Sequence, residues 1–169
     1  MTPILLLAAG RSSRMGGRDK LAEPVGGVPL LRRIAGEAVA TGEPVFVALP
    51  AAEHTRAALL DGLAITRLVL AGSAEGMGGT MRDGVAALPE ARRFLVLLAD
   101  LAEIGRDDIA TVLAAPGLAP EATIWRGTTK DGRPGHPILF DAALRPAFAA
   151  LSGDDGARSI VSAQRDRVH

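Results

Sequence analysis

Residues 4–9, Ile-Leu-Leu-Leu-Ala-Ala, form an unbroken apolar run that ends at Gly10. A strand with one wet face alternates apolar and polar side chains, whereas a strand covered on both faces can be apolar throughout. This run therefore commits the chain to a sheet held between two covering layers. Further short apolar runs at 45–49, 68–70, 94–99, 122–125 and 137–140 alternate with segments of helical character. The helical segments are 29–40, 53–61, 79–88, 107–114, 141–151 and 156–163. Alternation of this kind predicts βαβ units, and hence an α/β fold, a three-layer α/β/α sandwich around a mostly parallel sheet. Pro29 is expected in the first turn of its helix, where a missing N–H costs nothing. Asp107 and Asp108 suit a helix opening, through capping oxygens and favourable charge at the dipole.

The length of 169 residues fits one domain, 1–169, and 48% hydrophobic residues supply its core. Glycine and proline make up about 18% of the chain, short of the ~25–30% that marks low complexity. Nineteen basic and nineteen acidic side chains cancel, so the basic excess that drives binding to nucleic acid is missing. Aromatic residues are 3% and Tyr is absent, which argues against stacking platforms for single strands. No apolar run approaches the ~20 residues of a membrane span, and Met1-Thr2-Pro3 carries no positive segment of a secretory signal. Zero Cys excludes disulfides, thiolate catalysis and Cys-ligated metal. These features predict a soluble, cytoplasmic protein with no nucleic-acid or membrane partner; a monomer is the expectation, although composition does not fix the oligomeric state.

Chemistry concentrates in four blocks. The first is Leu7-Ala8-Ala9-Gly10-Arg11-Ser12-Ser13-Arg14-Met15-Gly16-Gly17-Arg18-Asp19-Lys20, where the apolar strand runs into a glycine-rich basic loop. Glycines let backbone N–H groups approach an anion and form a nest. Arg14 and Lys20 would neutralise a polyphosphate, one as a planar fork and one as a point charge. The chain has two lysines against seventeen arginines, so this loop holds half of its lysine. The spacing fits neither G-x-x-x-x-G-K-[ST] nor G-x-G-x-x-G. By composition alone, a solvated crossover loop is an equal reading.

The second block ends the fourth run, Phe94-Leu95-Val96-Leu97-Leu98-Ala99-Asp100. Ligands of open α/β sheets sit beyond the carboxyl ends of strands, where a carboxylate suits Mg²⁺ (or Mn²⁺). An Asp capping the next turn is the alternative. The third block, Glu75-Gly76-Met77-Gly78-Gly79-Thr80-Met81, opens a helix, either as the lining of a nucleotide pocket or as a simple strand-to-helix turn. The fourth comprises Gly132-Arg133-Pro134-Gly135-His136-Pro137-Ile138-Leu139-Phe140 and Gly153-Asp154-Asp155-Gly156-Ala157-Arg158. His136 is expected in a rigid turn at the mouth of an apolar strand, and Asp155 as the N-cap of a short helix.

Taken together, L-A-A-G-x-S-x-R-M-G-x-x-x-K resembles the signature of the MobA-like nucleotidyltransferases. The resemblance covers the chain from Pro3 to about Ile160, and its Ala8-Ala9-Gly10 form looks like the cytidylyltransferase branch. It implies a MobA-like, nucleotide-diphospho-sugar-transferase-like fold. It also implies a nucleotide site from Ala8, Ala9, Gly10, Arg11, Ser12, Ser13, Arg14, Met15, Gly16, Lys20, Gly76, Met77 and Thr80. The family's L-x-G-D-M-P element falls on Leu98-Ala99-Asp100-Leu101-Ala102, so Asp100 becomes the metal ligand while the Gly and Pro are replaced. The G-x-x-G-H-P-x-x-F and G-D-x-G-A-R elements put Gly135, His136, Asp154 and Arg158 on the acceptor side. Relatives usually continue through another strand and a D-x-D-T-P-E-D-type segment, so the chain reads as C-terminally short for the family.

The implied reaction is transfer of CMP (or another NMP) from a nucleoside triphosphate, CTP favoured, to a phosphorylated acceptor, molybdopterin cofactor above all, with release of diphosphate. Arg14, Lys20 and Asp100 would be the catalytic residues, and a recipient molybdoenzyme or its chaperone a further partner. A sugar or polyol phosphate acceptor is the rival enzyme reading. A non-catalytic nucleotide- or cofactor-binding module of the same fold is the rival from another class.

Overall fold

The computed structural model describes residues 1–10, 19–51 and 54–169. Its strands are β1 (Ile4–Leu7), β2 (Pro24–Val25), β3 (Val28–Pro29), β4 (Val45–Leu49), β5 (Ile65–Val69), β6 (Arg93–Leu98), β7 (Ile124–Thr128) and β8 (Pro134–Asp141). The helices are α1 (Leu30–Val39), α2 (Thr55–Ala58), α3 (Met77–Ala87), α4 (Arg106–Ala114), α5 (Arg145–Ala149) and α6 (Arg158–Ala163). Six strands form one sheet in the order β5-β4-β1-β6-β8-β7. Pairings are parallel from β5 through β6 and antiparallel on both sides of β8. Among the described residues, β8 is thus the one reversed strand of a mostly parallel α/β sheet.

The apolar run at β1 behaves as its pattern requires. All four of its residues are buried, and alternate side chains enter opposite cores. Ile4 and Leu6 join Leu95 and Leu97 under α1 and α4, where Leu31, Ile34, Ala35, Ile109 and Val112 close the layer. Leu5 and Leu7 join Phe94 and Val96 under α3 and α5, with Met81, Val85 and Phe148. On that face Phe94, Phe140 and Phe148 pack with centroids 5.0–5.6 Å apart, one pair stacked and two edge-on. Such pairs add ~0.5–1.5 kcal/mol each beyond burial, which holds the short α5 to the sheet.

Several boundaries differ from the sequence reading. The third run extends back to Ile65, because an edge strand paired on one side tolerates the polar Thr66 and Arg67. The hairpin of β2 and β3 was not foreseen, although Gly26 and Gly27 take φ of 60° and 82°, as a tight two-residue hairpin loop requires. Pro29 therefore ends β3 with ψ of 135°, and the helix begins at Leu30 rather than on the proline. Asp108 does cap: its carboxylate accepts from the Gly105 N–H at 2.9 Å. Among the described residues of the segment 53–61, α-helix is kept at Thr55–Ala58. The segment 141–151 opens as a 3-10 turn (Ala142–Leu144) before α5. Asp155 caps nothing, since α6 starts at Arg158 after Ala157. At the chain's end Val168 bridges Ile124 in parallel, and the Arg126 N–H donates to the His169 carbonyl at 2.8 Å. No helix among the described residues is long and apolar enough to cross a membrane.

Candidate functional site

Parallel strands deliver their carboxyl ends to one edge, and β1 and β6 are adjacent there. Past β1, the Ala8 N–H still donates to Ala48 at 3.0 Å, and the Ala99 N–H donates to Leu7 at 3.2 Å. The two backbones then part and open a cleft of about 870 Å³. Leu7, Ala8, Ala9, Gly10, Lys20, Leu21 and Arg56 line one side; Leu98 and Asp100 form the floor; Ser73, Ala74, Glu75, Gly76, Met77, Thr80 and Asp154 line the other. Across it the Lys20 ammonium stands 3.5 Å from the Asp100 carboxylate, with each side chain half exposed (50% and 51%). Exposed pairs of this kind are worth ~0.2–1 kcal/mol, so incoming charged groups can replace either partner at small cost. Arg11, Ser12, Ser13, Arg14, Met15 and Gly16 lie outside the described residues.

The departures from L-x-G-D-M-P around Asp100 have local explanations. Ala99 is 1% exposed and packs its methyl into the core under α1 and α4. The turn that lacks the proline is held from outside: Arg33 of α1 donates to the Ala102 carbonyl at 2.8 Å.

The glycines of the third block serve chain packing. A Cβ on Gly78 would lie 2.5 Å from the Ser152 oxygen, and one on Gly79 would strike the Gly72 carbonyl. Gly76 has φ of 121°, and a Cβ there would lie 2.8 Å from the Gly153 oxygen and closer still to the Asp154 carboxylate. Only a glycine permits this approach. The same approach brings Asp154 into the cleft. Thr80 is buried, and its hydroxyl donates to the Gly76 carbonyl at 2.9 Å. Arg82 fixes this wall by donating to both Glu75 carboxylate oxygens at 2.8 Å, to Asp83 at 2.9 Å and to the Leu151 carbonyl at 3.2 Å. Its hydrogen bond to Glu75 holds that carboxyl below its ordinary range, while the guanidinium is pushed upward by the same contact and by Asp83.

His136 lies inside β8 rather than in a turn before it, joined to Pro137 by a cis peptide bond. Its Nδ1 is buried and has no hydrogen-bond partner among the described residues. Burial lowers the imidazole pKa, with Arg126 adding to the effect, while the Val96 backbone and Asp100 oppose it. His136 and Gly135 are half-buried beside the cleft rather than among its lining residues, and Arg158 stands exposed on α6.

Sequence reasoning missed Arg56. This α2 side chain is 2% exposed. It forks onto Asp19 at 2.7 and 2.8 Å and donates to the Gly10 carbonyl at 2.9 Å and to the Ala8 carbonyl. No motif surrounds it, so no local signal marks it.

A crevice at the carboxyl ends of parallel strands, crossed by an ammonium–carboxylate pair, defines an α/β protein of the open-sheet, ligand-binding class. The model of the MobA-like NTP transferase domain matches residues 4–168, and the chain belongs to this family of nucleotidyltransferases. It is 31% identical over 159 residues to nicotine blue oxidoreductase of Paenarthrobacter nicotinovorans, covering 91% of this chain and 78% of that one. Among solved structures it resembles Rv0371c of Mycobacterium tuberculosis, with 26% identity, a TM-score of 0.78, and coverage of 99% of this chain and 85% of that one. A second structure of Rv0371c is a manganese complex, with TM-score 0.77, 23% identity and the same coverage. CMP:2-keto-3-deoxy-manno-octonic acid synthetase complexed with CTP shares the fold at 12% identity, with TM-score 0.71 over 100% of this chain and 89% of that one.

Proposed function

We propose that the chain transfers a cytidylyl group from CTP to the terminal phosphate of a molybdopterin-type cofactor and releases diphosphate. The observation that carries the reading is the meeting of Lys20 and Asp100 at 3.5 Å across the cleft between β1 and β6. An acceptor phosphate oxygen forms a bond to the α-phosphorus, and the bond from that phosphorus to the bridging oxygen breaks. The electron pair leaves with diphosphate. A phosphate monoester has a second pKa of about 6, so the nucleophile is already anionic and needs no base. Lys20 neutralises the departing charge, together with Arg14 and the N–H groups of the loop. Leu7, Leu98 and Met77 offer apolar surface to the nucleotide, and His136, Gly135, Asp154 and Arg158 bind the acceptor. Positioning and fixed charge supply the rate, as in phosphoryl transfer generally.

The donor set fits a divalent cation carried in on phosphates. Asp100 is half exposed at the cleft floor, and no group of three or more His, Asp or Glu among the described residues forms a metal cage. One carboxylate plus substrate phosphates is how Mg²⁺ is usually held, and manganese in the Rv0371c complex supports a divalent site. Such a cation would supply charge neutralisation on the phosphate oxygens.

Calorimetric titration with CTP and GTP, with and without Mg²⁺ or Mn²⁺, tests the reading, followed by diphosphate release with molybdopterin cofactor and with sugar or polyol phosphates. The expected result is metal-dependent CTP binding, with release on the molybdopterin acceptor. CTP binding without release on any acceptor would make the chain a binding module. A second reading rests on the relative named as an oxidoreductase. Reduction of nicotine blue by an added reductant, without diphosphate release, would favour it.

A further inference from the structure

We infer that Arg56 is the positioning residue of this site, a buried clamp that joins the two ends of the 10–20 loop and thereby sets the reach of Lys20. The inference deepens the nucleotidyl-transfer reading and rests on it. The loop leaves the sheet at Ala8 and Gly10 and returns at Asp19, and one guanidinium takes hold of all three. The carbonyls of Ala8 and Gly10 lie on the departing side, and both carboxylate oxygens of Asp19 on the returning side. Asp19 in turn accepts from the Leu21 N–H at 3.1 Å and so caps the 3-10 turn Lys20–Ala22. Lys20 begins that turn, and its ammonium faces Asp100. The linkage runs from α2 through Asp19 to the backbone of Lys20, while Arg56 itself, 2% exposed, lines the cleft at the root of the loop with its donors turned to Asp19 and the two carbonyls.

Arginine is required by this geometry. A planar fork with five donors can hold a carboxylate in bidentate fashion and still reach two carbonyls, whereas a lysine ammonium offers one point of attachment. Arg32 provides a contrast. It also bridges two carbonyls, those of Leu59 and Asp61 at 2.9 Å, but it joins α1 to the turn after α2 and touches nothing in the cleft.

The test measures CTP affinity and kcat/KM for Arg56→Lys, Lys20→Ala and the double variant, with Arg32→Lys as a control and thermal melting of each. Arg56→Ala with added guanidinium chloride serves as the companion should Arg56→Lys fold poorly. Arg56→Lys is expected to lower kcat/KM by about tenfold to a hundredfold, the scale of a misplacement near 1 Å. The double variant should lose less than the product of the two single losses, because the lysine it would misplace is already gone. Arg32→Lys should combine with Lys20→Ala multiplicatively, and millimolar guanidinium should raise the kcat/KM of Arg56→Ala. Multiplicative losses for Arg56 and Lys20, or unchanged CTP binding in Arg56→Lys, would overturn the inference and leave the reaction standing. A wild-type chain that binds no nucleoside triphosphate would overturn both.

Discussion

Gly10, which follows β1, and the glycines that open α3 answer to different neighbours. At Gly78 and Gly79 a Cβ would collide with the chain itself, at Ser152 and Gly72. At Gly10 a Cβ would meet nothing within 4 Å among the described residues, and φ is not positive. The helix-opening glycines let two pieces of backbone close on each other, whereas Gly10 keeps clear a space that the described chain does not fill. Glycine in a turn is thus evidence for a ligand only when the fold's own packing does not demand it.

Variants on the two sides separate these roles. Asp100→Ala, on the open side, is expected to lower turnover by at least about a hundredfold with little change in melting temperature; steady-state diphosphate release measures it. On the packed side, Gly78→Ala should cost ~1–3 kcal/mol and lower Tm by about 2–12 °C, with CTP affinity per folded molecule retained, as read by melting curves beside calorimetry. Gly10→Ala should reverse that pattern, with Tm held within about 2 °C and CTP affinity down about tenfold. A large Tm loss in Gly10→Ala would erase the distinction between the turns. Lys20→Ala should weaken triphosphate binding by about tenfold, equivalent to ~1.4 kcal/mol, and leave Tm nearly unchanged because its partner is exposed.

The smallest effect belongs to His136. Its folded pKa lies below the ordinary 6.5, so above that pH the imidazole is neutral in both folded and unfolded chains. As pH falls below 6.5, the unfolded chain takes up a proton that the folded one resists, and stability drops until the folded value is passed. Tm measured from neutral pH to about pH 5 should therefore decline more in the wild type than in His136→Gln. Parallel curves would remove His136 from the acid response.

The layers of the fold were legible wherever burial governs the pattern. β1, β4 and β6 follow their apolar runs, because central strands covered on both faces have no polar positions to confuse the reading. The edge strand β5 was half hidden by Thr66 and Arg67, and the β2–β3 hairpin escaped although Gly26-Gly27 announced it. In the site, Asp100 and Lys20 were singled out at strand and loop ends, each beside a plain alternative, a turn-capping Asp and a solvated loop; their meeting at 3.5 Å depends on the fold. Arg56 was not, since its partners Asp19 and Gly10 are 37 and 46 positions away in the chain. The glycines at 78 and 79 were legible as a turn but not as a close contact, which depends on where residues 152–154 come to rest.

The reversal of β8 has a consequence for how such a protein can diversify. β7 ends and β8 begins at the same edge of the sheet as the carboxyl ends of β1 and β6, so the hairpin tip at 129–133 lies at that edge, outside the parallel strands. That tip can be lengthened, shortened or recharged without disturbing the register of any parallel strand. Changes there would alter that edge of the molecule while Lys20 and Asp100 keep their places.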